Sequence, residues 1–248
     1  SQMNSNHPDE MSSLSGRTAV VTGASRGIGA AIAAALAAEG VRVVMLARNE
    51  AKLKDRSRSL KGSIPIVCDV SKPESVEKAA KRIASELKRA PDILVNNAGI
   101  FGVSLVEETS TEFFIDTINT NLVGPFLFVR SFLGEMKKRK TGHVITIGSI
   151  ADRTIYTGNA AYSAAKFGDR AMHEVLRAEL RGTGVRATLV SPAATDTEIW
   201  NTVTITDPAG KPHSKRPMLD PEDVARAVMF ALTQPERVNI DELRLSHS

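Results

Sequence analysis

Apolar residues along this chain gather in short unbroken runs, and between the runs lie longer stretches where apolar positions recur at helical spacing. The runs fall at 18–22, 41–47, 64–68, 92–95, 143–147 and 185–190, with a last one near 242–245. Unbroken rather than alternating runs mark strands covered on both faces, as in a parallel sheet flanked by helices. Helices are predicted over 28–39, from 50, over 73–89, as one or two segments between 111 and 139, over 160–181, and from 221. Pro221 suits a first helical turn, and Glu222 and Asp223 suit its positive end. Strand and helix thus alternate throughout. The predicted fold class is α/β, a doubly wound, Rossmann-type parallel sheet of about seven strands with helices on both faces.

Length and composition narrow this picture. The 248 residues carry no Pro/Gly/Ser-rich linker, so a single domain over 16–248 is expected. Residues 1–15 are polar, lack the apolar segment of a signal peptide, and are expected to be a disordered tail, in part an expression remnant. A hydrophobic fraction of 42% with 24% charged residues is that of a soluble globular protein with a sizeable core. The alanine-rich run at 30–38 is about half the length of a membrane span, so no membrane association is expected. The net charge of +4 does not point to nucleic acid, because basic residues such as Lys78, Lys81 and Arg82 are interleaved with Glu77 and Glu86. The single cysteine, Cys68, cannot form an internal disulfide; it fits a reducing, cytoplasmic setting and reads as a small buried hydrophobe.

Two stretches carry candidate chemistry. TGASRGIG at 22–29 stands between the first strand and the first helix, with Gly23, Gly27 and Gly29 spaced G-x-x-x-G-x-G. Glycines there permit a tight turn and bring backbone N–H groups up to a pyrophosphate at the helix's positive end, although a plain glycine turn has the same composition. Where an NAD site carries an acid after the second strand, this chain has Arg48 and Asn49, and Arg26 converges on the same place. Two guanidinium groups fit a 2′-phosphate, which favours NADP(H) over NAD(H); solvated arginines are the alternative. Asp69, past the third strand, reads either as a partner for the adenine amino group or as a helix N-cap. The second stretch holds Tyr162 and Lys166, four residues apart and hence on one helix face. A phenol of pKa about 10 is a poor base near neutrality, and an ammonium alongside favours the phenolate. By itself this spacing also suits a solvated helix face.

With these residues in view, the chain resembles the short-chain dehydrogenase/reductase family in its compact branch of about 250 residues, over residues 17–246. The resemblance rests on TGASRGIG at 22–29, CDV at 68–70, NNAG at 96–99, Asn121 in NTNLVGPF, Ser149 after VITIG, YSAAK at 162–166 and SPAATDT at 191–197. It implies that Tyr162 protonates a carbonyl oxygen or accepts a proton from an alcohol, and that Lys166 supports it and holds the nicotinamide ribose. Ser149 would hydrogen-bond the substrate oxygen, and Asn121 would position a water linking Lys166 to solvent. The implied cofactor set is Gly23, Ser25, Arg26, Gly27, Ile28, Gly29, Arg48, Asp69, Val70, Asn97, Ala98, Gly99, Tyr162, Lys166, Pro192, Thr195 and Thr197, with Thr197 on the carboxamide. The family's Pro-Gly is Pro192-Ala193 here; if that position needs a positive φ, alanine costs about 1 kcal/mol.

Specificity is expected from the loop at 194–219 and from Ile150, Arg153, Tyr156 and Trp200. Trp200 with Ile199 reads as an apolar wall or as core filling, and Arg153 as a carboxylate clamp or a solvated loop cation. Lys211, His213, Lys215 and Arg216 read as attraction for an acidic substrate or as mobile solvated charge, and no metal site is expected. The resemblance implies reduction of a small ketone, a β-keto acid or a 3-oxoacyl thioester with NADP(H), by a homotetramer built as a dimer of dimers. An NAD-dependent alcohol or sugar dehydrogenase, and an NADP(H)-binding sensor without turnover, are the alternatives.

Overall fold

The computed structural model describes residues 11–202 and 217–248. The predicted doubly wound sheet is present. Strands β1 (Thr18–Thr22), β2 (Arg42–Ala47), β3 (Ile64–Val67), β4 (Ile93–Asn96), β5 (Gly142–Ile147), β6 (Val185–Pro192) and β7 (Glu242–Leu245) form one sheet. Its order is β3-β2-β1-β4-β5-β6-β7, with every neighbouring pair parallel. The intervening helices are α1 (Gly27–Ala38), α2 (Glu50–Arg58), α3 (Pro73–Leu87), α4 (Thr111–Ile118), α5 (Gly124–Arg139), α6 (Ala160–Glu179) and α7 (Pro221–Leu232).

Alternate residues of the strands feed two separate cores. Ala19 and Val21 of β1 pack with Ile32 and Leu36 of α1 and with Val224 and Val228 of α7. Val20, between them, turns to the other face and joins Ile83 of α3 with Phe128, Phe132 and Met136 of α5. This is why the inner strands read as unbroken apolar runs: β4, β5 and β6 are buried along their whole length, on both faces. Phe128 is wholly buried, a burial that favours the folded state by roughly 2–3 kcal/mol.

Local chemistry sets the helix ends. The Asn49 side chain accepts from the Lys52 N–H at 3.0 Å to open α2, and Ser110 does the same for α4 with Phe113 at 3.1 Å. Asp220 and Asp223 form a reciprocal capping box at the start of α7, with Pro221 in its first turn. Between α4 and α5, residues 119–123 make a π-helical turn in which the Gly124 N–H donates to the Asn119 carbonyl. Gly124 is needed there, since a Cβ would stand 2.7 Å from the Val70 carbonyl oxygen.

Two expectations change. Within the tail expected over 1–15, residues 11–15 pack on the domain: the Ser12 N–H donates to the Thr233 carbonyl at 2.8 Å, and Leu14 is buried in the core beside α1 and α7. Apolar burial of one leucine outweighs the polar character of its neighbours. Residues 1–10 lie outside the described residues. At Ala193 there is no backbone penalty, because the only non-glycine residues with positive φ among those described are Lys88 and Lys140. The Ala193 N–H donates to the Leu245 carbonyl at 2.8 Å, so β7 pairing holds it in an ordinary conformation.

The sheet grows from β1 outward to β3, and the chain then crosses back to lay β4 on the other side of β1. A crevice opens at the carboxyl ends of strands where the order reverses in this way. Thr22 and Asn97 fasten its floor: Thr22 Oγ1 accepts from the N–H groups of Asn97 and Ala98, both at 2.9 Å, and Asn97 Nδ2 donates to the Thr22 carbonyl at 3.2 Å.

Candidate active site

A cavity of about 1080 Å³ runs along the carboxyl ends of the strands. At one end lies the glycine loop. Gly23 and Gly27 have φ of 63° and 53°, left-handed values that side chains avoid. Gly29 is required sterically, because a Cβ there would lie 2.1 Å from the Gly23 carbonyl oxygen. No side chain caps α1, so its first-turn N–H groups are left for an acceptor arriving from the cavity, and Ser25 and Ile28 line the same turn.

Beyond the loop, Arg26, Arg48 and Lys52 line the cavity together. Glu198, on the segment after β6, approaches Arg26 at 3.7 Å and Lys52 at 3.2 Å. Lys52, and secondarily Arg26, hold the Glu198 carboxyl below its ordinary pKa. Sequence reading missed Lys52 and Glu198. Lys52 could have been found as the exposed position following the Asn49 cap, but Glu198 meets it only through the tertiary fold.

Asp69 and Val70 line the next stretch of wall. Asp69 Oδ1 accepts from the N–H and hydroxyl of Ser71 at 3.0 and 2.6 Å, while Lys72 occupies the N-cap of α3. The N-cap alternative for Asp69 is therefore corrected: its short side chain closes the turn before the helix. Cys68, next to it, is buried; burial pushes its thiol pKa up, with Ser75 Oγ at 3.7 Å from the sulfur. Asn97, Ala98, Gly99, Pro192, Thr195 and Thr197 also line the cavity. Thr197 reaches the loop itself: a Cβ on Gly27 would be 3.1 Å from its methyl group.

Tyr162, Lys166 and Ser149 line the same cavity. Tyr162 and Lys166 project from the first turns of α6, and the Lys166 ammonium lies 5.7 Å from the centre of the Tyr162 ring. Lys166 is buried and donates to the Ile147 carbonyl at 3.2 Å. Ser149 Oγ accepts from the Ala151 N–H at 3.1 Å, which opens a short 3-10 turn. Asn121 is placed differently. Its side chain is wholly buried and clasps the Ile100 backbone, accepting from its N–H at 2.8 Å and donating to its carbonyl at 2.9 Å. That clasp braces the loop after β4, while the neighbouring Thr120 lines the cavity.

The remaining wall is aromatic. Phe101, which sequence reading passed over, stands edge-on to Tyr162 with ring centres 4.8 Å apart and edge-on to Trp200 at 5.0 Å. The Trp200 indole N–H donates to the Thr195 carbonyl at 2.9 Å, so Trp200 belongs to the wall and not to the core. Ile150 and Tyr156 also line it. Arg153 does not line the cavity, and the clamp role is corrected: its guanidinium is held by Asp152 at 2.8 Å and by Glu242. Asp152 is wholly buried and also accepts from Ser191 Oγ at 2.6 Å. Asp169, one turn past Lys166, has its carboxyl pushed up to about 6 by burial, with the Lys166 charge opposing and the Asp152 charge adding. His173, a turn further, is pushed down to about 4 by burial and meets Thr146 Oγ1 at 2.8 Å.

Among the described residues no cluster of three His, Cys, Asp or Glu side chains could hold a metal ion, and no helix is long and apolar enough to cross a membrane. Lys211, His213, Lys215 and Arg216 lie outside the described residues.

The comparisons agree with this geometry. Residues 17–207 match the family model described as short chain dehydrogenase. The chain is 36% identical over 235 residues to an uncharacterized oxidoreductase of Staphylococcus aureus (strain MRSA252), covering 94% of this chain and 98% of that protein. Among solved structures, it is similar to a metagenomic short-chain oxidoreductase in complex with NADP, at 33% identity and a TM-score of 0.80, covering 96% of this chain and all of that one (100%). A closed form of serine dehydrogenase complexed with NADP+ is similar at 33% identity and a TM-score of 0.84, over 92% of this chain and 94% of that one. A seven-stranded parallel sheet of order β3-β2-β1-β4-β5-β6-β7, a glycine-loop cavity and these matches lead to one conclusion: the chain belongs to the short chain dehydrogenase family of oxidoreductases.

Proposed function

We propose that this oxidoreductase uses NADP(H) to interconvert a carbonyl compound and its alcohol. The observation that carries the proposal is that Ser149, Tyr162 and Lys166 line the same cavity as the glycine loop and the Arg26, Arg48 and Lys52 cations. The residues fit a dinucleotide: the missing Cβ of Gly29 lets the start of α1 close onto the Gly23 carbonyl, and the uncapped start of α1 offers N–H donors. When bound, the nicotinamide supplies or takes up the hydride. The chain handles the proton. In reduction, Tyr162 Oη gives its proton to the carbonyl oxygen, which Ser149 Oγ holds by a hydrogen bond. The buried Lys166 ammonium, fixed by the Ile147 carbonyl, offsets the charge left on the phenolate oxygen. In alcohol oxidation the same oxygen accepts the hydroxyl proton.

The preference for NADP(H) rests on Arg26 and Arg48, whose planar forks suit a phosphate, with Lys52 adding a point charge. Glu198 is exposed enough to exchange these partners for water at small cost. Similarity to two oxidoreductases with NADP in their complexes supports the choice. We also propose a cytoplasmic setting, consistent with buried Cys68, and a dimer of dimers.

The test is NADPH oxidation against a panel of ketones. Tyr162→Phe should lower kcat about 10²–10⁴-fold with cofactor binding retained. Arg48→Asp should weaken NADPH binding about 10- to 100-fold, as loss of a charge-assisted phosphate contact does. Unchanged turnover in the first variant, or tighter NADH than NADPH binding in the parent, would defeat the reading.

A further inference from the structure

The wall facing the reacting groups bears on which carbonyl compound the site takes. Phe101 touches both Tyr162 and Trp200 edge-on, at 4.8 and 5.0 Å, so a surface of three rings stands beside the proton-donating oxygen. The Thr195 carbonyl holds the Trp200 indole N–H and fixes that ring's orientation. Val103, Ile150 and Ile199 extend the surface with aliphatic groups. The same character continues outward. Segments 101–106 and 155–159 are joined by pairing of Ser104 with Asn159, and they carry exposed Leu105, Val106 and Ile155 at the rim.

Charge is distributed the other way. The lining cations Arg26, Arg48 and Lys52 stand with the glycine loop and the end of β2, and two of them face Glu198. Lys166 directs its ammonium to the Ile147 carbonyl. Arg153, the cation nearest Ser149 in sequence, is outside the lining and shared by Asp152 and Glu242. Among the described lining residues, a carboxylate seated against the rings would lose its hydration without a partner side chain. An aromatic or branched alkyl group would gain edge and face contacts there.

Granted the oxidoreductase reading above, we infer that the substrate is an uncharged ketone, or its secondary alcohol, bearing an aromatic or bulky alkyl group seated against Phe101 and Trp200. Phe101 is the specificity-determining residue.

Four probes test this with NADPH: ethyl benzoylformate, benzoylformate, ethyl pyruvate and pyruvate. The expected kcat/KM for ethyl benzoylformate exceeds that for benzoylformate and that for ethyl pyruvate by at least about tenfold each. Phe101→Ala should lower kcat/KM for the aryl ester about 10- to 100-fold, mostly through KM, and at least about tenfold more than for ethyl pyruvate. Trp200→Phe, which keeps a ring, should produce a smaller loss in the same order, and circular dichroism verifies that both variants fold. Either carboxylate matching or beating its ester would overturn the inference, as would an equal effect of Phe101→Ala on aryl and methyl probes, while leaving the oxidoreductase reading intact. Cofactor binding with turnover of none of the four would bring down that reading and the inference together.

Discussion

Asp169 lies one turn beyond Lys166 on α6, is 2% exposed, and has its Oδ1 atom without a partner. Burial raises its pKa from 3.8 to about 6, so the folded protein holds this proton more tightly than the unfolded chain does. The sign follows from linkage: stability falls as pH rises from about 4 to about 6, and above that the ionised carboxylate costs on the order of 3 kcal/mol. Asp169→Asn should therefore gain stability relative to the parent as pH rises across that window. Urea titrations of both proteins at pH 4, 5, 6 and 7 measure it; a difference that does not change with pH would refute it. The residues legible in the sequence were those whose roles depend on near neighbours. Tyr162 and Lys166 share a helix face, and Ser149 lies just past Gly148 at the end of β5. Those that escaped depend on distant partners: Glu198 is 146 residues from Lys52, and Arg153 is 89 residues from the Glu242 that holds it. Phe101 has no local pattern, and its importance comes from two rings brought to it by α6 and the segment after β6.

Strands and helices were legible to within one or two residues, because a strand buried on both faces and a helix buried on one leave different periodicities. The sequence leaves the break between α4 and α5 open, as one or two segments over 111–139. Its π-helical turn runs into Gly124, which seats closely on Val70, a contact between segments. Leu14 likewise earns its place by packing against α1 and α7, inside a stretch that is otherwise polar. The glycine loop is the element most exposed to a single change. Gly29→Ala would drive a Cβ to 2.1 Å from the Gly23 carbonyl, backbone that cannot rotate away. The expected result is at least a tenfold loss of NADPH affinity with a melting temperature several degrees lower, the effect of roughly 1–3 kcal/mol of overpacking. Fluorescence titration and thermal melts would show it; unchanged affinity would mean that the loop does not hold the dinucleotide.

For the whole molecule, alternation of strands and helices was enough to indicate the sheet, and the sheet's reversal beside β1 locates the crevice. The dimer of dimers proposed above would need surfaces that the sheet does not use. Phe114 and Ile115 of α4, Phe126 of α5 and Val175 of α6 are all exposed, Val175 by 58%. An apolar face of this kind suits a two-fold contact between copies. Phe126→Glu should shift the particle measured by light scattering from a tetramer toward smaller species, with the fold retained by circular dichroism. A parent that is already a monomer would exclude the dimer of dimers.

The buried thiol of Cys68 is the only one in the chain, and it sits in the wall of the cavity beside Asp69. Its raised pKa keeps it in the unreactive protonated form. A thiol-specific dye therefore reports one location and one event, the moment that wall opens to solvent. Labelling half-times with and without a bound dinucleotide would turn this single sulfur into a stopwatch for breathing of the crevice, with no engineered probe.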